Sequence, residues 1–381
     1  MIDEGRPLPQ PKQGKYGSPD RGPRNLPVEL ENPDLMVAPR TDHGTVPNLK
    51  WPFAMSHTRM EEGGWTRETT VRELPVATEL AGVQFGLEPG GYREVHWHKQ
   101  SEWAYVIQGS CRISVVDQEG RNFLDDVHEG DLWFFPKGIP HHIQALEDGC
   151  NFLLVFDDGN FSENDTFMVS DWFNHTPKSV LAQNFGWTEE QMKNLPNYNK
   201  YIFQGQVPPP LDQDRVVSPT GDVPRTLTHR MHKQAPQRFP GGSVRIADST
   251  NFAASDTICA ALVEVNPGGM RELHWHPTTD EWQYYLAGTG RMGVFANSGV
   301  ARTFDYQGGD VGYVPFAYGH YIQNTGDEPL VFLEMFRASK FEDVSMMQWA
   351  ANIPSYIMAD TLNMPRKLIE ALPKDKHPVL P

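Results

Sequence analysis

The stretch EVHWHKQSEWAY at residues 94–105 returns at residues 272–285 as ELHWHPTTDEWQYY, with one residue inserted. The correspondence extends well beyond the motif. His96 and His274, His98 and His276, and Arg93 and Arg271 stand 178 positions apart, and after the insertion Glu102 and Glu281, Gly130 and Gly309, and His141 and His320 stand 179 apart. A register held over that span marks a duplicated domain, so whatever fold one copy adopts the other adopts too. At ~150 residues per domain, 381 residues suffice for two separate cores.

Each copy reads as short strands. TELAGVQFGLEPGG and ICAALVEVNPGG are β-rich runs closed by Pro-Gly-Gly turns, and EWAYVIQGSCRISVVD and EWQYYLAGTGRMGVF read as strand, turn, strand. GDLWFFPKGIPHHIQAL and NFLLVFDD follow in the first copy, GDVGYVPFAYGHYIQNTG and LVFLEMF in the second. With 33 glycines and 32 prolines as punctuation, the pattern is all-β, an antiparallel sandwich or barrel in each copy. Short helices follow each barrel. Pro177 and Pro354 open equivalent helical tails, and the capping box Thr188-Glu-Glu-Gln191 predicts a further short helix in the first. Residues near 206–224 are Pro-rich and polar like the first ~50, so the expected organisation is an extended N-terminal arm over 1–54, a first barrel with its tail over 55–205, a linker over 206–228 and a second barrel with its tail over 229–381.

A net charge of −16 leaves no basic surface for nucleic acid or an anionic membrane, and an anionic substrate would need its own local cation. No apolar run approaches a membrane span, and the N-terminal stretch lacks a hydrophobic signal core. The expected location is cytoplasmic, with a secreted form whose leader was removed left open. Three cysteines, Cys111, Cys150 and Cys259, are too few for a disulfide framework.

Residues two apart on a strand share a face, so His96 and His98 project together, as do His274 and His276, while Trp97 and Trp275 point the other way. Glu102 or Glu281, with a histidine from a later strand, completes a cluster of three imidazoles and one carboxylate. A single His-x-His pair is more often packing; two copies with an acidic partner at the same place argue for ligands. Such a mixed set suits Mn²⁺ or Fe²⁺ with positions left for an oxygen donor, whereas four closed ligands would suit structural zinc. Arg93 and Arg271 lie three residues before the His-x-His, an odd spacing that strand alternation does not aim inward. A bulge or the preceding Gly-Gly turn would; a guanidinium so placed would polarise a bound carboxylate.

These positions resemble the two motifs of the cupin superfamily. Gly90, His96, His98, Glu102 and Gly109, and Gly268, His274, His276, Glu281 and Gly288, match the first; Gly130, Pro136, Gly138 and His141, and Gly309, Pro315, His320 and Asn324, match the second. Ala145 stands where the motif has Asn, and Ala317 where it has Gly, departures that bear on turn geometry. The resemblance implies two tandem cupin, jelly-roll-like β-barrels and makes His141 and His320 the third imidazoles.

After the first barrel comes DDGNFSENDTF, whose Ser162-Glu163-Asn164-Asp165 stretch reads as a polar loop or lid. With it, nearly the whole chain, including TDHGTVPN, VRELPV and DSTNF, resembles the bicupin oxalate decarboxylases of bacteria. That resemblance implies two Mn²⁺ per chain, O₂ as co-catalyst and conversion of oxalate to formate and CO₂, with Fe²⁺ left open by the residues themselves. Arg93 would polarise the substrate and lid Glu163 would serve as general acid/base. In the second barrel Arg271 would be the matching substrate-binding cation, and Glu334, aligned with Leu154, a candidate catalytic carboxylate. Glu342 is a poorly aligned counterpart of Glu163. A homohexamer is implied as well. Two alternatives stand beside this: an oxalate oxidase making H₂O₂ and CO₂, which needs no proton donor in the lid, and a non-enzymatic storage or binding bicupin, which needs no intact ligand sets.

Overall fold

The structure, a computed structural model, describes residues 25–35 and 38–381; the part of the expected arm before residue 25 lies outside the described residues. The chain divides into two compact units, one of residues 55–234 with 248–258 and the other of residues 235–247 and 259–381 with the arm up to Ala54. Among the described residues the first unit carries one eleven-stranded sheet and the second a seven-stranded and a six-stranded sheet, with antiparallel pairing throughout.

The backbone of the first barrel is the pairing of Glu102–Val116 with His141–Phe156. Trp103, Val106, Phe152 and Val155 on these strands are fully buried, together with Trp133 and Phe134 of the neighbouring strand Leu132–Phe135. Two register shifts flank Gly109, where φ is +76° and a Cβ would sit 2.2 Å from the Gly149 carbonyl oxygen. The motif glycine therefore lets one long strand bend without breaking its ladder. Its counterpart Gly288, φ +79°, separates strands Glu281–Ala287 and Thr289–Phe295 in the second barrel. Ala317 takes φ +63° where the first barrel has Gly138 at +76°, a left-handed conformation that carries roughly 1 kcal/mol of strain for a residue with a Cβ.

Segments outside the barrels also repeat. Lys50–Pro52 of the arm pairs with Asp310–Val314, and Lys50 is buried in an ion pair with Asp310 at 3.0 Å. In the first unit Thr228–His229 pairs with Leu132–Phe135, and Arg230 bonds Asp131, the equivalent of Asp310, at 3.0 Å. The helical tails begin as expected, with Pro177 and Pro354 as N-caps of Lys178–Phe185 and Ser355–Leu362. At Thr188 the expectation fails in part. The capping-box bonds form, Gln191 N–H to Thr188 Oγ1 at 3.3 Å and Thr188 N–H to Gln191 Oε1 at 2.8 Å, but only turns follow. Pro196 leaves too few residues for a helix to propagate from that cap. Each tail then returns a strand, Ile202–Gln204 or Val379–Leu380, against the His-x-His strand of its own barrel.

Candidate metal centres and active site

Strands Gly91–Trp97 and Met270–Trp275 each contain one register shift, between Arg93 and His96 and between Arg271 and His274. The extra residue of that bulge cancels the odd spacing, so arginine and histidines face the same interior. Burial shows it directly: Arg93, His96 and His98 are all within 3% of complete burial, while Val95 between them is 44% exposed.

The structure brings together His96, His98, Glu102 and His141 in one barrel and His274, His276, Glu281 and His320 in the other, with ligand atoms of each set within 4.8 Å of one another. All six Nδ1 atoms face a backbone carbonyl, of Glu94, Gln100, Ile139, Glu272, Glu342 and Tyr318, at 2.6 to 3.0 Å. That fixes the tautomer with the proton on Nδ1 and leaves each Nε2 lone pair pointing into the cluster, as metal-ligating histidines require. Buried Nε2 atoms of His141, His274, His276 and His320 have no hydrogen-bond partner. Each carboxylate is aimed from behind, Glu102 by the Trp133 indole at 3.0 Å and Glu281 by the Gln283 amide at 2.8 Å. Burial, and after it the charge of Arg93 or Arg271, pushes His96 and His274 well below the usual imidazole range. Burial alone would push Glu102 up, but the adjoining His141 and His98 imidazoles prevail and bring it to about 2. Burial favours the neutral form of His96, His141 and His274, which a cation needs of its ligands, whereas Glu281 raises His276 against its burial.

Above the first cluster the lid turn Glu163–Asp165 is capped by the Ser162 hydroxyl, which accepts the Asn164 N–H at 3.3 Å. Arg59 donates to the Asn164 side chain at 2.6 Å, Arg72 to the Phe161 carbonyl at 3.0 Å, and Glu68 accepts the Glu163 N–H at 3.2 Å. Glu163 itself turns inward, 6% exposed, and accepts the Thr66 hydroxyl at 2.5 Å. Arg93 donates to Thr166 Oγ1 at 2.9 Å and to the Tyr201 carbonyl at 3.3 Å, and its guanidinium stacks 3.3 Å from the centre of the Tyr201 ring. Arg93, Glu163, Thr166, Tyr201 and the ligands His96, His98 and Glu102 line one narrow cavity of about 10 Å³, the room of a single water-sized sphere.

The second barrel differs above its metal set. Arg271 bonds Glu334 at 3.0 Å and Asp343 at 2.7 Å, with all three side chains buried. No lid carboxyl corresponds to Glu163 there: Val344 pairs with Trp275 as Phe167 pairs with Trp97, which sets Asp343 opposite Thr166 and Glu342 opposite Asp165. Trp97 and Trp275 pack on the chain's own tails, Trp97 against Phe167 and Trp172 and Trp275 against Trp349. Thr66, Thr166 and Tyr201 escaped the sequence reading because no spacing rule couples them to the motif. The repeat was the one signal available for Thr166, since it shares Asp343's place.

Two buried sets of three histidines and one glutamate, one in each of two duplicated β-barrels, define a bicupin. The cupin family model matches residues 53–193 and 231–368. The chain belongs to the oxalate decarboxylase branch of the cupin family, being 56% identical over 373 residues to oxalate decarboxylase OxdC of Bacillus subtilis, which covers 98% of this chain and 97% of that one. A probable oxalate decarboxylase of Arthroderma benhamiae is 42% identical over 386 residues, covering 97% and 95%. A solved structure of a Bacillus subtilis OxdC mutant superposes with a TM-score of 0.96 at 56% identity over 98% of this chain and 99% of its own, and another of the same enzyme, also at 0.96, is described with Mn(II) centres. Among the described residues no helix is long and apolar enough to cross a membrane.

Proposed function

We propose that this chain decarboxylates oxalate to formate and CO₂ with Mn²⁺ and O₂, principally in the first barrel. The observation that carries the reading is a narrow cavity in which a protonatable carboxyl and an arginine meet His96, His98 and Glu102 of a His₃Glu set. The metal would be held by His96, His98, Glu102 and His141, and in the second barrel by His274, His276, Glu281 and His320. When bound, it would supply open positions for the oxalate oxygens and for O₂, the one-electron oxidant.

The chain's own groups do the rest. Arg93, fixed by Thr166 and stacked on Tyr201, offers its guanidinium to the oxalate carboxylate and polarises it. Burial pushes Glu163 up to about 7 against the opposing Thr66 bond, so this carboxyl exchanges protons near neutral pH. Glu163 takes the proton of the oxalate monoanion, the carbon–carbon bond breaks with loss of CO₂, and the same carboxyl returns the proton to the remaining carbon. Monoanionic oxalate thus becomes formate and CO₂, with no net proton change. Because the narrow cavity cannot admit oxalate, the Ser162–Asp165 lid opens for entry and closes to bring Glu163 to the substrate.

We carry forward a cytoplasmic location, supported by three buried cysteines that form no disulfide, and a homohexamer, supported by the resemblance and by exposed apolar side chains on the tails such as Trp172, Ile357 and Leu362. The test is to load the protein with Mn²⁺, supply oxalate at mildly acid pH and quantify formate, CO₂ and H₂O₂ together. Formate should match oxalate consumed, and Glu163→Gln should cut formate production ~10²–10⁴-fold with metal content unchanged. Peroxide stoichiometric with oxalate would establish the oxidase instead, and absence of turnover in metal-loaded protein a binding or storage role.

A further inference from the structure

The two arginines keep the same strand position, bulge and burial, yet the groups around them have diverged. Among the described residues Arg93 meets neutral partners: the Thr166 hydroxyl, the Tyr201 carbonyl and the Tyr201 ring. Arg271 meets two carboxylates, Glu334 and Asp343, each no more than 2% exposed. Strand pairing makes the exchanges exact in place. Leu154 and Glu334 occupy one position, the former between Val83 and Ala104 and the latter between their equivalents Ala261 and Gln283. Thr166 and Asp343 occupy another, each next to the residue that pairs with the outward tryptophan. Lys376 of the C-terminal tail, whose counterpart by the same register is Asn199, bonds Asp343 and balances its charge.

Access to the arginine is not what separates the sites. A cavity of about 470 Å³ reaches Arg271 and is lined by Asp343, Lys376, Phe341 and Pro378, ample for a molecule as small as oxalate. Charge separates them. An anion entering the second barrel must draw Arg271 away from two buried carboxylates, leaving Glu334 unpaired beside the ionised Glu281 and Asp343 to Lys376 alone, which costs more than one new ion pair supplies. In the first barrel the same arginine has no carboxylate to surrender.

Resting on the oxalate reading above, we propose that Asp343, acting with Glu334, is the specificity-determining pair that closes the second barrel to oxalate by engaging Arg271. Thr166 and Leu154, at the same places, leave the charge of Arg93 to the substrate. The pair does not touch the reacting atoms; it determines which of two duplicated sites receives them.

Equilibrium dialysis of radiolabelled oxalate against Mn-loaded protein without O₂ counts anion sites per chain, with metal measured on the same samples. Wild type should bind one oxalate and two Mn²⁺. Asp343→Thr with Glu334→Leu, which installs the first barrel's residues, should bind two oxalates; Asp343→Asn with Glu334→Gln, which keeps shape and hydrogen bonds while removing both charges, should do the same if the first variant folds poorly. Two oxalates on wild type, or one on both variants whether or not the second metal is retained, overturns the proposal. Binding of no oxalate by wild type overturns the oxalate reading itself, and with it this one.

Discussion

Glu163 holds its proton into the neutral range because burial outweighs everything that favours its ionised form. The Thr66 hydroxyl is the largest of those opposing influences, nearby Glu68 raises the value further, and Arg93 and Arg59 lower it. Removing the Thr66 bond must therefore push the carboxyl above about 7. Thr66→Val, nearly the same shape, should shift the limb of the formate pH–rate profile that Glu163 sets to higher pH while metal content stays at the wild-type level. A pH–rate profile measures this, and an unmoved or acid-shifted limb would refute it. Arg93 shows a second lesson at this scale: its stack on Tyr201 and its bond to Thr166 hold a flexible side chain in one orientation before substrate arrives, which is what a polarising cation needs.

In the proposed lid, chemistry and motion would be one event, since closing it would bury Glu163. In an open lid the carboxyl has its ordinary value near 4.5 and in the closed lid about 7. A group whose value is raised in one state stabilises that state fully below the lower value and loses the contribution as pH climbs through the higher. Closure is therefore favoured below about pH 4.5 and weakens up to about pH 7, by up to roughly 3 kcal/mol at 1.36 kcal/mol per unit. Hydrogen-exchange protection factors for residues 161–166 should fall across that window in wild type and stay flat in Glu163→Gln. Equal slopes in both would show that other groups govern closure. The anchors from Arg59, Glu68 and Arg72 set the baseline on which this linkage acts.

For the molecule as a whole, the metals are part of the structure that folding produces. Each barrel gathers three imidazoles and an ionised carboxylate in a buried space, and among the described residues the Nε2 atoms of His141, His274, His276 and His320 have no hydrogen-bond partner. A cation that binds this set and not the unfolded chain stabilises the fold by mass action, about 4 kcal/mol at a thousand times its dissociation constant. Chelation should lower the melting temperature by several degrees or more. His141→Ala should reduce bound Mn²⁺ from two to one per chain and abolish formate formation. Metal analysis with calorimetry checks both; two metals retained in the variant would show that His141 is not a ligand.

The sequence by itself determined the duplication, the all-β barrels, the His-x-His and glutamate ligands and the lid, because each is carried by short-range spacing or by a register that repeats. It left a bulge or the preceding Gly-Gly turn as the ways for Arg93 to face inward, and the strand pairing has a bulge between Arg93 and His96. Only the tertiary structure decided what surrounds the two arginines. Thr66, Tyr201, Asp343 and Lys376 come from strands and tails far away in sequence, and local periodicity carries no information about which distant side chains meet across a barrel. The same limit explains the helix that did not form at Thr188, where the cap was legible but the length to propagate was not there.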